Sequence, residues 1–292
     1  MNFKAAVVQD SPILFDLHQT IEKVESLSKK AALNGASLVV FPEAFISAYP
    51  KNMNFGARIG SRTDKGREEF LDYYNSSLDF KSKEFFKLLK IAKKYRIYIV
   101  IGVIEKAAGT LYCTILHISD IGDLLCKHRK VMPTASERLI WGFGDGSTLK
   151  TTKTKLGILG SVICWENYMP MMRMAMFEQG IQLYCAPTAD DRDTWISTMT
   201  HIALEGRCFI FSSCQYLTID DYPSKYREDL KKSNKIIMKG GSCIISPLGK
   251  TLASPQYNNK TIIYAQIDLD ECIKGKYDFD VVGHYSRPDI FR

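Results

Sequence analysis

The stretch that most restricts what this chain can fold into is Leu156-Gly157-Ile158-Leu159-Gly160-Ser161-Val162-Ile163-Cys164-Trp165, followed by Glu166-Asn167-Tyr168-Met169-Pro170. An apolar, β-branched run that stops at Cys-Trp-Glu-Asn reads as buried strand, tight turn and helix, with Asn167 able to cap a helix over 168–177. Cys164 then sits at the C-terminal end of a buried strand, where ligand chemistry collects in open α/β sheets. The helix N-terminus beside it is expected to favour the thiolate, the nucleophilic form of cysteine. The same residue also fits a buried structural role, because free cysteine is among the most buried residue types.

The rest of the chain repeats this rhythm twice. Residues 3–9 alternate like a strand. Residues 17–34 carry Ile21, Val24, Leu27 and Ala31 at helical spacing with Gly35 to end the helix, and Leu38-Val39-Val40-Phe41 reads as a buried strand running into Pro42-Glu43. Residues 46–79 show little periodicity and read as a long functional loop. A helix over 81–95, with Phe85, Leu88, Leu89 and Ala92 on one face, leads into strands at 97–105, 111–118 and 124–130, an antiparallel meander. The second half gives the strand to Cys164, a helix to 177, a strand at 181–186, a helix at 194–205 and a strand at 208–213. Residues 222–239 are charged and read as a surface excursion; 242–246, 251–254 and 262–267 complete an antiparallel edge. Two β-α-β-α-β halves predict an α/β fold, a four-layer α-β-β-α sandwich, in a single domain over 1–292.

Several function classes are disfavoured. Hydrophobic content of 46% and charged content of 24% describe an ordinary globular protein. The formal charge of +7 is spread along the chain and forms no basic, aromatic stripe, so nucleic acid is not an expected partner. Apolar runs stay far below the roughly 18 residues that span a bilayer, so no membrane association is expected. Met1-Asn2-Phe3-Lys4 enters a strand pattern directly, which makes the cytoplasm the expected location. Eight cysteines without a C-x-x-C pair read mostly as reduced core residues, and five histidines lack metal-binding spacing, so no metal is expected.

Three loops follow strand ends: Pro42-Glu43-Ala44-Phe45, Arg129-Lys130-Val131-Met132-Pro133-Thr134 and Cys164-Trp165-Glu166. A carboxylate, an ammonium and a thiol so placed supply the parts for covalent acyl chemistry on a carbon bound to nitrogen. Each also has a plain reading: Glu43 as a solvated loop acid, Lys130 as part of a basic strand end, Glu137 as a partner of Arg138. A Cys/His dyad with His128 or His201 is a further alternative, although the residues around Cys164 lack the local papain signature.

Over nearly its whole length the chain resembles the nitrilase superfamily of carbon-nitrogen hydrolases. The resemblance runs through Lys4-Ala5-Ala6-Val7-Val8-Gln9, Phe41-Pro42-Glu43-Ala44-Phe45, His128-Arg129-Lys130-Val131-Met132-Pro133-Thr134 and Glu137-Arg138-Leu139-Ile140-Trp141-Gly142. It continues through Cys164-Trp165-Glu166-Asn167-Tyr168-Met169-Pro170, Ala186-Pro187-Thr188-Ala189-Asp190, His201-Ile202-Ala203-Leu204-Glu205-Gly206-Arg207, Gly240-Gly241-Ser242 and Gly283-His284-Tyr285-Ser286-Arg287-Pro288. Trp165-Glu166-Asn167-Tyr168 after the cysteine is similar to the nitrilase branch rather than to the amidases.

The resemblance implies Glu43, Lys130 and Cys164 as a catalytic triad, Glu137 as a second glutamate ordering the lysine, and hydrolysis of a nitrile through a thioimidate without a cofactor. Tyr49, Trp141, Trp165 and Thr188 are the expected substrate-binding residues. An amidase using the same site and a catalytically silent binding protein stay open as alternatives. Pairing through the helix after Cys164 is implied, giving a homodimer and leaving higher homo-oligomers open; many members run on past the His-Tyr-Ser-Arg-Pro segment, whereas this chain stops at Arg292.

Overall fold

The computed structural model describes residues 2–231 and 233–291; Met1, Lys232 within the charged excursion, and Arg292 lie outside the described residues. Strand β1 (Asn2–Gln9) runs into helix α1 (Leu17–Leu33), where Asp16 accepts the Gln19 N–H at 2.8 Å as N-cap. Gly35, at φ +81°, turns the chain into β2 (Ala36–Val40), parallel to β1. Helices α2 (Asp64–Asn75) and α3 (Lys83–Tyr95) follow, then the antiparallel strands β3 (Tyr98–Ala107), β4 (Thr110–Ile118) and β5 (Leu124–Arg129).

The second half begins with β6 (Thr152–Thr154) and β7 (Gly157–Ser161), then α4 (Pro170–Glu178), β8 (Leu183–Thr188), α5 (Trp195–Gly206) and β9 (Phe209–Cys214). A small ribbon of β10 (Tyr216–Thr218) and β11 (Ile236–Lys239) brackets the short helix α6 (Ser224–Arg227). Strands β12 (Cys243–Ile245), β13 (Thr251–Ala253) and β14 (Thr261–Asp268) and helix α7 (Asp270–Asp278) complete the described chain.

Two six-stranded sheets result, in the orders β14-β1-β2-β3-β4-β5 and β13-β12-β9-β8-β7-β6. Their facing sides share a core that includes Val7, Val40, Val100 and Ile115 from one sheet and Leu159, Leu183, Phe209 and Ile244 from the other. Helices α1 and α3 cover the outside of the first sheet through Ile21, Val24, Leu88 and Ile91. Helices α4 and α5 cover the second through Met172, Met176, Met199 and Ile202. The expected four-layer α-β-β-α sandwich is the observed fold. No helix among the described residues is long and apolar enough to cross a membrane.

Four local expectations are corrected. Residues 46–79 contain α2, which is polar and buries few side chains, so it lacks the apolar stripe that marks a helix in sequence. The charged excursion is anchored: Tyr222, Tyr226, Leu230, Ile237 and Met238 form a cluster with Leu14 and Ala48 beneath it. Strand β14 does not finish the second sheet but crosses back to pair antiparallel with β1, Ala5 opposite Ala265. Asn167 caps no helix: its Nδ2 donates to Val162 O and Cys164 O, and its Oδ1 accepts the Tyr184 hydroxyl.

Among the polar contacts between the two sheets, one involves a buried histidine. His117 on β4 and Ser161 on β7 meet at 2.7 Å through Nε2 and Oγ, and the buried His117 Nδ1 has no partner among the described residues. Burial, then the neighbouring His128, lowers its pKa from 6.5 to about 3. The unfolded chain therefore binds a proton as pH falls through 6.5 that the folded chain refuses until about 3. Stability from this source is full above that window and is lost going down through it, by up to about 1.4 kcal/mol per pH unit. Denaturant unfolding at pH 7 and pH 5 should show a smaller loss for His117→Gln than for the wild type; equal losses would remove His117 as a source of acid sensitivity.

Candidate active site

Glu43, Lys130 and Cys164 come together at one end of the sandwich. Glu43 follows β2, Lys130 follows β5 directly, and Cys164 opens a single 3-10 turn (Cys164–Tyr168) three residues beyond β7. The Glu43 loop can lie flat on β3 because Gly102 has no side chain; a Cβ there would stand 2.4 Å from Pro42 O. Cys164 itself has φ +50°, a left-handed conformation that an L-residue adopts at a cost and that recurs at functional sites.

Lys130 and Glu43 are sealed from solvent. Lys130 Nζ donates to Glu43 Oε1 at 2.7 Å and to Glu137 Oε2 at 2.8 Å. Burial alone would strip the ammonium of its proton, but Glu43, then Cys164 and Glu137, outweigh it and hold the pKa well above the usual lysine value. Glu43 is pushed up, chiefly by burial, with Lys130 opposing and Glu137 assisting. Its Oε2 has no hydrogen-bond partner among the described residues.

The Cys164 thiol corrects an expectation. Burial, then the Glu43 charge, drives its pKa up and outweighs the pull of Lys130, so the resting group is a thiol and not a helix-stabilised thiolate. Nor does an α-helix start at this residue: α4 begins only at Pro170, beyond the 3-10 turn.

Glu137 does not pair with Arg138, whose Nε donates to Pro133 O. Besides Lys130 it accepts the Tyr49 hydroxyl at 2.7 Å and the Thr134 N–H at 2.6 Å. Thr188 touches the sulfur, its hydroxyl donating to Cys164 Sγ at 3.2 Å. Tyr49 and Trp165 line the cavity of about 250 Å³ that contains Cys164 and Glu137, and the Trp165 indole N–H donates to Asp190 at 2.8 Å. Trp141 lies in an adjoining cavity that shares Tyr49 and Glu137, its ring 5.7 Å from Lys130 Nζ. The walls around Cys164 are less apolar than the aromatic residues alone lead one to expect, because the ion pairs Lys51–Asp191 and Arg192–Asp190 stand among them.

Neither histidine partners Cys164 in a hydrogen bond: His128 Nε2 lies 3.4 Å from Glu166 and His201 sits on α5 beside Glu205. No group of His, Cys, Asp and Glu among the described residues is arranged to hold a metal ion. Sequence reasoning missed three neighbours. Cys113, read as a core thiol, points its Sγ at Glu43 Oε1 at 3.6 Å, and Gln215 Nε2 donates to the Glu43 carbonyl at 2.8 Å. Glu166 bridges the two loops that carry Lys130 and Cys164. Only Glu166 left a sequence signal, as part of the motif after the cysteine.

A family model of carbon-nitrogen hydrolases matches residues 4–277. The chain belongs to the carbon-nitrogen hydrolase family. This hydrolase is 53% identical over 291 residues to an aliphatic nitrilase of Sinorhizobium fredii (strain HH103), covering 99% of this chain and 94% of that one. It is 52% identical to a bifunctional nitrilase/nitrile hydratase of Nicotiana tabacum, covering 98% and 84%. Its fold is shared with a carbon-nitrogen hydrolase from Helicobacter pylori G27, at a TM-score of 0.78, 19% identity and coverage of 100% and 97%.

The arrangement generates a prediction for Glu137. Glu137→Gln removes one of two charges that keep Lys130 protonated, so turnover should fall on the order of a hundredfold, comparable to losing one oxyanion donor. The variant should stay folded with Cys164 still open to alkylation. Near-normal turnover by a folded Glu137→Gln hydrolase would return the residue to a structural role.

Proposed function

We propose that this hydrolase is a nitrilase that converts an organic nitrile to the carboxylic acid and ammonia through covalent intermediates on Cys164. The observation that carries the reading is the buried Lys130 ammonium, held by two carboxylates beside a thiol. The identity to a protein named as an aliphatic nitrilase supports the nitrile as substrate.

In this scheme Glu43 takes the Cys164 proton and the sulfur bonds to the nitrile carbon. One C–N π bond breaks, and the negative charge grows on nitrogen, facing Lys130. Lys130 protonates that nitrogen to give the thioimidate and regains a proton from Glu43, 2.7 Å away. Water deprotonated by Glu43 adds to the thioimidate carbon, ammonia leaves, and a second water releases the acid and restores the thiol. The balance is one nitrile and two waters to one acid and one ammonia, with no metal or organic cofactor consumed. Loss of sulfur before ammonia would release the amide instead, an outcome in keeping with the relative named as bifunctional nitrilase/nitrile hydratase.

The reading extends to organisation. A core that fills the space between both sheets supports one domain. Eight free cysteines support a reducing compartment and hence the cytoplasm. Met172 and Met176 face inward on α4 while Met171 is 78% exposed, with Tyr168, Met169 and Leu204 exposed nearby. Burying that face against its copy would make a two-fold homodimer.

Cys164→Ala should abolish turnover and leave the fold intact, and Cys164→Ser should also fail because a hydroxyl is far less acidic than a thiol. Turnover by Cys164→Ala above a few per cent of wild type would rule out the covalent route. Ammonia release from a panel of aliphatic, arylaliphatic and aromatic nitriles, run beside the matching amides, tests the substrate class; turnover of amides alone would replace the reading by an amidase. Light scattering at micromolar concentration should give a dimer, and a monomer would overturn the proposed pairing.

A further inference from the structure

Glu166 is 1% exposed and does not line the cavity that contains Cys164, yet it joins the two loops on which the proposed chemistry depends. Its Oε1 accepts the N–H of Val131, the residue after Lys130, at 2.6 Å. Its Oε2 accepts the N–H of Ile163, the residue before Cys164, at 2.9 Å. His128 Nε2 approaches Oε2 at 3.4 Å, and the other ring nitrogen lies 3.3 Å from the Thr148 hydroxyl. Lys130 is otherwise tied by its own peptide groups to Cys113 O and Gly144 N, on the first sheet's side of the molecule. The Cys164 loop grows from the second sheet. One carboxylate therefore spans the gap between the sheets at the level of the reacting groups.

The chemistry of the partners explains why a glutamate stands here. Two backbone N–H groups face the two oxygens, and the imidazole is satisfied if Nε2–H donates while Nδ1 accepts the Thr148 hydroxyl. Every group directed at Glu166 is then a donor, and a carboxylate is the side chain with two acceptors and no donor of its own. A glutamine would turn its NH₂ against one of the backbone N–H groups. An aspartate keeps the charge but is a methylene short of spanning both.

We propose that Glu166 is a positioning residue that fixes the Lys130 ammonium relative to the Cys164 sulfur, and so sets how the tetrahedral intermediate divides between acid and amide. The proposal rests on the nitrile reading given above. In that intermediate the former nitrile carbon carries the sulfur, a hydroxyl from water and an amino nitrogen. When Lys130 protonates the nitrogen, the C–N bond breaks and ammonia leaves with its electron pair. The hydroxyl proton passes through Glu43 back to Lys130, and a thioester remains. When the C–S bond breaks first, the sulfur leaves with its pair, receives the hydroxyl proton through Glu43, and the amide is released. The first route needs Lys130 close to the nitrogen; the second does not.

The test uses the full chain and the nitrile of the panel that the wild type hydrolyses fastest, with acid, amide and ammonia all quantified. Reactive sites are counted by iodoacetamide labelling of Cys164 and mass spectrometry. Glu166→Gln should lower kcat per labelled site by about tenfold or more, as a displacement of an ångström or less does in a positioned site, with KM little changed. The amide fraction should rise in the same variant, and Glu166→Asp should shift in the same direction. A role in stability alone would reduce acid and amide together, in proportion to labelled protein. An amide-to-acid ratio equal to wild type in a folded Glu166→Gln enzyme would overturn the proposal. Should that variant not fold, Glu166→Asp decides by the same ratio. If the wild type turns over amides and no nitrile, the nitrile reading fails on its own, and an unchanged kcat per site for Glu166→Gln on an amide would then sink the positioning role as well.

Discussion

An ammonium sealed from water persists only if its charge is met on the spot, and Lys130 imposes that condition on the whole end of the molecule. Removing such an ion from water costs several kcal/mol, and a buried pair that loses one member is worse off than no pair at all. Glu43 and Glu137 must therefore arrive together, at 2.7 Å and 2.8 Å. Strands β2 and β5 are separated in the sheet by β3 and β4, so the loops they feed must reach inward. They do so by borrowing backbone bonds from the strands between. Phe41 and Ile46 bond along β3 at Val100 and Gly102, and Gly142 bonds to Leu111 on β4. Gly102 is what lets the first of these loops come close enough.

The second sheet supplies the thiol under a different constraint. A left-handed Cys164 costs on the order of 1–3 kcal/mol and survives only where its surroundings over-determine it. Asn167 provides that: one amide group bonds to the carbonyls of Val162 and Cys164 and is itself held by the Tyr184 hydroxyl from β8. The strain is thus carried by a buried, fully satisfied amide on the same turn, and Glu166 ties that turn to the far sheet.

The strands, the helices with apolar stripes and the ends that carry Glu43, Lys130 and Cys164 were legible in the chain, because β-branched runs and 3.6-residue periodicity report directly on burial. Helix α2 was not, since its inward face is made of Gly66, Glu69 and Tyr73 rather than aliphatic residues. The return of β14 to β1 could not be read either: an antiparallel strand shows which face it buries and nothing about which sheet receives it. Charge misled at 222–239, where Lys and Asp side chains hide the tyrosines and aliphatic residues that anchor the segment. Among the site residues, Glu137 was ambiguous because adjacency to Arg138 imitates a surface pair. Cys113 and Gln215 carried no signal, since proximity to Glu43 arises only once β4 and β9 are in place.

The upward shift of Cys164 sharpens rather than weakens its place in this site. Burial raises both the thiol and the Glu43 carboxyl, so a proton passing between them moves between two groups whose charged forms are penalised by the same dry surroundings. What governs the transfer is the difference between the two, and a penalty that falls on both charged forms cancels in part from that difference. A permanently ionised thiolate would also demand a counter-charge at rest, and Lys130 is already engaged by two carboxylates. In the proposed scheme sulfur's negative charge arises instead at the moment a carbon stands ready to receive the electron pair, and passes to an atom facing the ammonium. Lys130 balances Glu43 and Glu137 at rest, and in that scheme it also meets the substrate nitrogen, which would demand that its place be fixed from both sheets.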